Sequence, residues 1–337
     1  MVNEYWFNTL GVSDKSIYKN MVANFSRMKF DVDCGNVNPQ ALVKVYGAVM
    51  DDHPELFYLT YKPGASQKSG FFGSTIVFQS SSIFSSLEIS RYKSAIDGIL
   101  KKIKTATSVL KTEAEKEKFI VDHFIENVEY KIDVTFNQNA ATCLVDGKAQ
   151  CSGIARAIKY VCDYVGLWCI VVGGQLNDRA TGTVGPHAWN IIRVDGKYYH
   201  LDVTQMLGVN ASRVKPFRYT YYNYTDEEIK VNHLWTGNTP ACTQNFGGES
   251  SSNGNAGNAG IGNVYGSLYE VRVNLADALK KKQTEFSFRS KINCENDNEL
   301  MKVLNLAVGS AIKASPNKVS QAAISVQGGF VTISIKY

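Results

Sequence analysis

Apolar residues recur at helical spacing over residues 14–28 and 38–52, again over 86–110, and from Glu113 to about Val128. Between them, FYLTY (57–61) and STIVFQS (74–80) are short apolar-rich runs flanked by Pro, Gly or Ser, which is the pattern of strands. The stretch from Gly147, GKAQCSGIARAIKYVCDYVG, then places Ile154, Ile158, Val161, Cys162 and Val165 on one face of a helix over 152–165. Strands are predicted at 168–173, 187–193 and 197–203. The last two meet at Asp195-Gly196, a strong two-residue hairpin signal, because both positions of such a turn must tolerate positive φ.

The pattern breaks at GGESSSNGNAGNAGIGN, residues 247–263, where all but Glu249 and Ile261 are Gly, Asn, Ser or Ala. Such a segment buries too little apolar surface to offset its ordering entropy, which predicts a flexible linker. Beyond it the chain reads strand 268–273, helix 275–284, strand 286–293, helix 297–313 and a hairpin 322–336 turning at Gly328-Gly329. The predicted class is α+β, in four parts. A mixed α/β region over 1–112 packs on a core over 113–246, the linker follows at 247–263, and a small α/β sandwich of unknown role occupies 264–337.

Composition narrows the function classes. The formal charge of +5 on 337 residues is spread thinly. The clusters Lys101, Lys102 and Lys104, and Lys280 to Lys282, read as solvated helix faces, so no nucleic-acid partner is expected. Seven cysteines without a CxxC pair give neither a disulfide framework nor a zinc ribbon. No run reaches the roughly eighteen apolar residues of a membrane span, and MVNEYWFNTLGV lacks the charged start and apolar core of a signal peptide. A signal peptide already removed would leave the same pattern, and the Ser, Gly and Asn segment leans towards an exported, modular protein. GxxxxGK[ST], HExxH and a strand-led GxGxxG are all missing, so no cofactor is expected.

Chemistry concentrates at Cys151. Cys162 lies on the apolar stripe and reads as a buried filler, whereas Cys151 precedes the helix, where unpaired amides and the helix dipole favour a thiolate. The alternative for Cys151 is a buried thiol, the commoner fate of a cysteine. A nucleophile needs a base, and the base an orienting group. With Asp195-Gly196 as a two-residue turn, Trp189 faces Asp202, and His187 becomes a diagonal neighbour of Asp202 at roughly 7 Å between Cβ atoms. A register shift of one residue would send Asp202 to the opposite face. His53 and His200 are weaker rivals for the base. Gln150, Ser152, Trp189 and Asn190 are candidate cleft neighbours, Trp189 as a wall, while a solvent-facing position is the default for a strand asparagine such as Asn190. Cys143 reads as core. His233 and Cys242 lack a third ligand at suitable spacing for a metal, so none is expected.

Cys151 in GKAQCSGIARA, and His187 and Asp202 in HAWNIIRVDGKYYHLDVT, resemble the Cys, His and Asp motifs of the transglutaminase-like superfamily, whose core is papain-like. The resemblance extends through DDHPELFYLTY, FIENVEY and YYNYTDEEIKVNHLW to about residues 40–246 and leaves 264–337 uncovered. Tyr198-Tyr199 stand where Trp-Tyr is common in bacterial members. It implies a papain-like core with the Cys helix packed on an antiparallel sheet carrying His and Asp. It also implies a Cys151–His187–Asp202 triad that forms a thioester from a protein or peptide amide, cell-wall peptides among the partners. Water would then give hydrolysis and an amine would give a cross-link. The competing expectation is a catalytically silent binding or scaffold protein attached through its C-terminal domain. The second oxyanion donor stays unassigned, since the side chain of Gln150, adjacent to Cys151, is expected to diverge from it.

Overall fold

The computed structural model describes residues 3–70, 73–133, 135–178, 183–209, 221–230, 232–244, 264–265, 268–290, 292, 294, 296–327 and 330–337. The predicted linker at 247–263 and the Gly328-Gly329 turn lie outside the described residues. Two compact units divide the chain, one of Met1–Lys197 with His233–Pro240, the other of Tyr198–Asn232 with Ala241–Tyr337.

The first unit opens with α1 (Tyr5–Thr9), α2 (Val12–Phe25), β1 (Asp31–Asp33) and α3 (Pro39–Asp52). β2 (Gly64–Gly70) and β3 (Gly73–Gln79) pair antiparallel, and β1 adds to β3 in the order β1-β3-β2. α4 (Ser86–Ser108) and α5 (Glu113–Asn127) each start from a capping box, Ser85 with Glu88 and Thr112 with Glu115. In each box the hydroxyl accepts the N3 amide and the carboxylate accepts the N-cap amide, satisfying two donors the helix cannot. β4 (Glu129–Tyr130) and β5 (Lys148–Ala149) form a short parallel pair that leads into α6 (Cys151–Val165).

α6 positions the site. Ile154, Ile158, Val161 and Cys162 are all buried, and burial of such side chains contributes about 1.5–3 kcal/mol each for the larger ones. The stripe therefore dictates which face of α6 turns inward, and Gly166, at φ +93°, ends the helix in the left-handed region. Beneath it, β6 (Cys169–Asp178) pairs antiparallel with β7 (Thr183–Val194). Ala155 packs on Val171 and Ala188, and Asn190 Nδ2 donates to Ala155 O at 2.9 Å and Ile170 O at 3.1 Å. This is the cysteine-bearing helix packed on an antiparallel sheet that the resemblance implies.

β7 runs through Asp195 and Gly196 into β8 (Lys197–Leu201), and the second unit begins within β8. α7 (Val203–Val209) and α8 (Asp226–Ile229) follow, after which β9 (His233–Leu234) returns to the first unit and pairs antiparallel with β6. The rest of the second unit is β10 (Val264–Tyr265), α9 (Leu268–Lys280), β11 (Glu285–Ser290), α10 (Asp297–Ala314), β12 (Gln321–Gln327) and β13 (Phe330–Lys336). Its sheet runs β10-β11-β13-β12, with α9, α10 and the strands sharing one core that includes Leu275, Leu279, Phe288, Leu304, Val331 and Ile333. Among the described residues no helix is long and apolar enough to cross a membrane.

Two predicted strands are corrected. FYLTY is no strand: Phe57, Tyr58 and Leu59 are buried in succession after a 3-10 turn at Pro54–Leu56, and Leu59 alone makes a bridge, to Ser82. A run buried on all sides has no alternation to read. The hairpin partner of β3 is the polar GASQKSG, which carries no apolar signal. Residues 268–273 are helical because Leu268, Val271, Leu275, Ala278 and Leu279 recur three and four apart and are all buried. The local alternation of Tyr269, Val271 and Val273 with Glu270 and Arg272 conceals that stripe.

Candidate functional site

α6 starts at Cys151 because Gln150 is still extended, at φ −91° and ψ 178°, and the Ile154 amide closes a helical bond onto Gln150 O at 3.0 Å. Amides ahead of that bond have no acceptor within the helix and point out of its N-terminus. A Cβ on Gly153 would come within 2.7 Å of Asn137 O and 3.0 Å of Asn139 O, so glycine allows the 137–139 segment to close over this first turn.

His187 lies on β7 opposite Gly174 of β6 and is almost wholly buried. Its imidazole hydrogen-bonds the half-buried Cys151 thiol, which also interacts with the Ala188 backbone N–H and the Ser152 side chain. Burial works to raise this thiol's pKa. The His187 hydrogen bond and charge, then Ala188 and Ser152, outweigh it and hold the thiol below its ordinary value. Burial alone pushes the Cys143 thiol well up, and burial together with Asp226 does the same to Cys242, so the lowered thiol belongs to a particular place in the fold.

Aromatic rings fix the imidazole. Trp189 stacks on His187 with centroids 5.9 Å apart and planes 17° apart, and His233 of β9 meets His187 edge-on at 5.4 Å. Trp189 also contacts His233 at 4.9 Å and Trp235 at 5.9 Å. His187-Ala188-Trp189 and His233-Leu234-Trp235 thus repeat one His-x-Trp spacing on two strands that flank β6. That repeat was the available signal for His233, which sequence reading weighed only as a metal ligand. The Ala188 amide left no signal, because a backbone group is invisible in residue type.

The remaining sequence candidates sort plainly. Ser152 touches Cys151 and Trp189 touches His187. Gln150 diverges: its Oε1 accepts from Gln138 Nε2 at 3.3 Å and its Nε2 donates to Ile132 O at 3.4 Å. Asn190 is buried under α6, not solvent-facing, its amide holding the helix to β6. His53 is engaged with Glu55, Nδ1 to Oε1 at 2.7 Å, and His200 with Asp226, Nε2 to Oδ1 at 2.8 Å. Asp202 follows β8 in the second unit and is fully buried. Its amide donates to Tyr221 O at 3.1 Å, and its Oδ1 accepts the Gln205 amide at 3.0 Å at the start of α7. Between β7 and β8, Asp195 and Gly196 sit at φ +50° and +79°, the left-handed pair of a two-residue hairpin turn.

A cleft of about 430 Å³ opens among α1, α3 and residues 236–238, bordered by Trp6, Lys44, Asp51 and Gly173. Gly173 pairs with Ala188, the residue whose amide meets the Cys151 sulfur.

Residues 101–203 match the family model of the Transglutaminase-like superfamily, a span that contains Cys151, His187 and Asp202. No curated protein matches the chain. Among solved structures, the chain is similar to a TGase at 16% identity and TM-score 0.30, covering 44% of this chain and 45% of that one. It is also similar to a protein from Cytophaga hutchinsonii taken to be a cysteine protease, at 15% identity and TM-score 0.30, covering 45% and 65%. A protein from Parabacteroides distasonis taken to be a protease is similar at 12% identity and TM-score 0.27, covering 83% and 63%. The chain spans less than two thirds of the length of each.

Proposed function

We infer that this chain, which carries a transglutaminase-like core over residues 101–203, is a cysteine enzyme acting on protein or peptide amides through Cys151, His187 and Asp202. The observation that carries the reading is the Cys151 thiol at the start of α6, hydrogen-bonded to a His187 ring that Trp189 and His233 hold in place. The reading of Asp202 rests on the Asp195-Gly196 turn, whose two left-handed residues support the register that makes His187 and Asp202 diagonal neighbours.

In the proposed reaction the Cys151 thiolate attacks the amide carbonyl and forms a C–S bond. Amides at the N-terminus of α6 stabilise the oxyanion, because their dipoles are already aimed outward and need no reorganisation. The His187 imidazolium gives its proton to the departing nitrogen as the C–N bond breaks, leaving a thioester. Water or an amine then attacks, His187 takes its proton, and the C–S bond breaks to restore the thiolate. Asp202 stabilises the imidazolium and fixes its tautomer, as in other nucleophile–His–acid triads.

Iodoacetamide labelling followed across pH tests the nucleophile. Cys151 is expected to react fastest of the seven cysteines, with an apparent pKa below the roughly 8.5 of an ordinary thiol. His187→Ala should return that midpoint upward, and equal labelling of all cysteines would remove the basis for the assignment. Glutamine peptides with a labelled primary amine then separate the outcomes. Incorporation that needs Cys151 means transfer, new amino termini or ammonia without incorporation mean hydrolysis, and no turnover with any peptide favours a binding-only scaffold.

A further inference from the structure

Away from Cys151, three segments remote in sequence converge inside the second unit. β8 brings His200, the first residue of α8 is Asp226, and the segment after Pro240 brings Cys242. Backbone bonds hold them in place: His200 N to Tyr224 O at 2.8 Å, Tyr224 N to His200 O at 2.9 Å, and Asp226 N to Cys242 O at 2.8 Å. The His200 and Cys242 side chains are fully buried, and the Asp226 side chain is 23% exposed. His200 Nε2 lies 2.8 Å from Asp226 Oδ1, and one ligand atom from each of His200, Asp226 and Cys242 lies within 4.8 Å of the other two. Sequence spacing set Cys242 beside His233 as a weak pair. The fold gives it His200 and Asp226 instead.

A thiolate, an imidazole and a carboxylate are a donor set suited to zinc and unlike the all-oxygen sets of calcium or magnesium. Donor atoms at about 2.0–2.3 Å from a tetrahedral zinc stand roughly 3.3–3.8 Å apart, so the His200–Asp226 contact need open by only about half an ångström. Charge also balances: ionised Cys242 and Asp226 carry two negative charges around a neutral imidazole, and one divalent cation neutralises them. Without such a cation the thiol and the imidazole can both donate to Asp226, and that arrangement is the competing outcome of the test. A water would supply the fourth ligand of a tetrahedral zinc held by these three side chains.

We propose that His200, Asp226 and Cys242 form a zinc-class divalent metal site that ties β8 and the start of α8 to the segment leading towards the C-terminal sheet. The site is independent of Cys151 chemistry, and its test leaves that chemistry out. The full chain carrying Cys151→Ala is stripped with a chelator and titrated with Co²⁺ alone. One equivalent should bind, with the intense near-ultraviolet thiolate-to-cobalt absorption that a nitrogen and oxygen site cannot give, and one equivalent of Zn²⁺ should bleach it. Adding Cys242→Ser should abolish the band. In case that variant does not fold, Asp226→Asn keeps the thiol and should weaken Co²⁺ binding by at least about tenfold. No thiolate band in the Cys151→Ala chain, a band that survives Cys242→Ser, or unchanged affinity in Asp226→Asn would overturn the site.

Discussion

Cys151 and Cys162 are eleven residues apart on one helix, yet burial and partners give them opposite chemistry. Cys162 faces the core, where Cys169 and burial push its thiol well up. Cys151 meets His187, Ala188 and Ser152. Position on the stripe was legible in the sequence, but the identity of the groups around the sulfur depended on how β7 arrives. Gly174 illustrates the same dependence. A Cβ there would lie 2.3 Å from Leu234 O and 2.8 Å from the Trp189 ring, so this glycine lets β9 and Trp189 close around His187. Gly174→Ala is expected to cost about 1–3 kcal/mol through overpacking, measured by urea unfolding. It should also slow Cys151 alkylation, because Trp189 must shift off the imidazole; an unchanged alkylation rate in a destabilised variant would mean that the stacking does not position His187.

Among the elements, α1 is held to α3 by one buried carboxylate. Asp52, at the end of α3, accepts the Trp6 amide at 3.1 Å, the Phe7 amide at 2.8 Å and the Tyr18 hydroxyl at 3.0 Å. Burial raises its pKa to about 6, while those donors and Lys159 pull it down. Because the folded value exceeds the unfolded one, the folded chain binds this proton more tightly. The associated stabilisation is fully present below about pH 4 and is lost as pH rises through about 6, a change on the order of 3 kcal/mol. His53, raised by Glu55 and Glu4 against the lowering effect of burial, adds a loss of the same sign. Subtracting the denaturant stability of Asp52→Asn from that of the parent at pH 4, 5, 6 and 7 should isolate the Asp52 slope. A difference that is flat across that range would place its folded pKa near the ordinary carboxylate value. None of this could be read from DDHP, since a carboxylate at a helix end is ordinarily a solvated group.

For the whole molecule, the composition of 247–263 carries the division into a core and a C-terminal part, which we retain as a proposal. Brief proteinase K treatment of the native chain should cut first within or beside 247–263 and release a fragment of roughly the size of 264–337. First cleavage elsewhere would reject the linker. The sequence by itself determined α6, the apolar stripe that orients it, the Asp195-Gly196 turn and the candidates Cys151, His187 and Asp202, because helical periodicity, turn stereochemistry and residue type are local properties. It misread FYLTY and 268–273, where burial on every side or a local alternation masked the true period. Only the tertiary structure decided that Ala188, Trp189 and His233 surround the Cys151–His187 pair, that Asn190 is a buried strut, and that Cys242 belongs with His200 and Asp226. Those outcomes depend on which backbone and side-chain atoms distant segments bring together, and pairwise proximity across long sequence separations has no local trace.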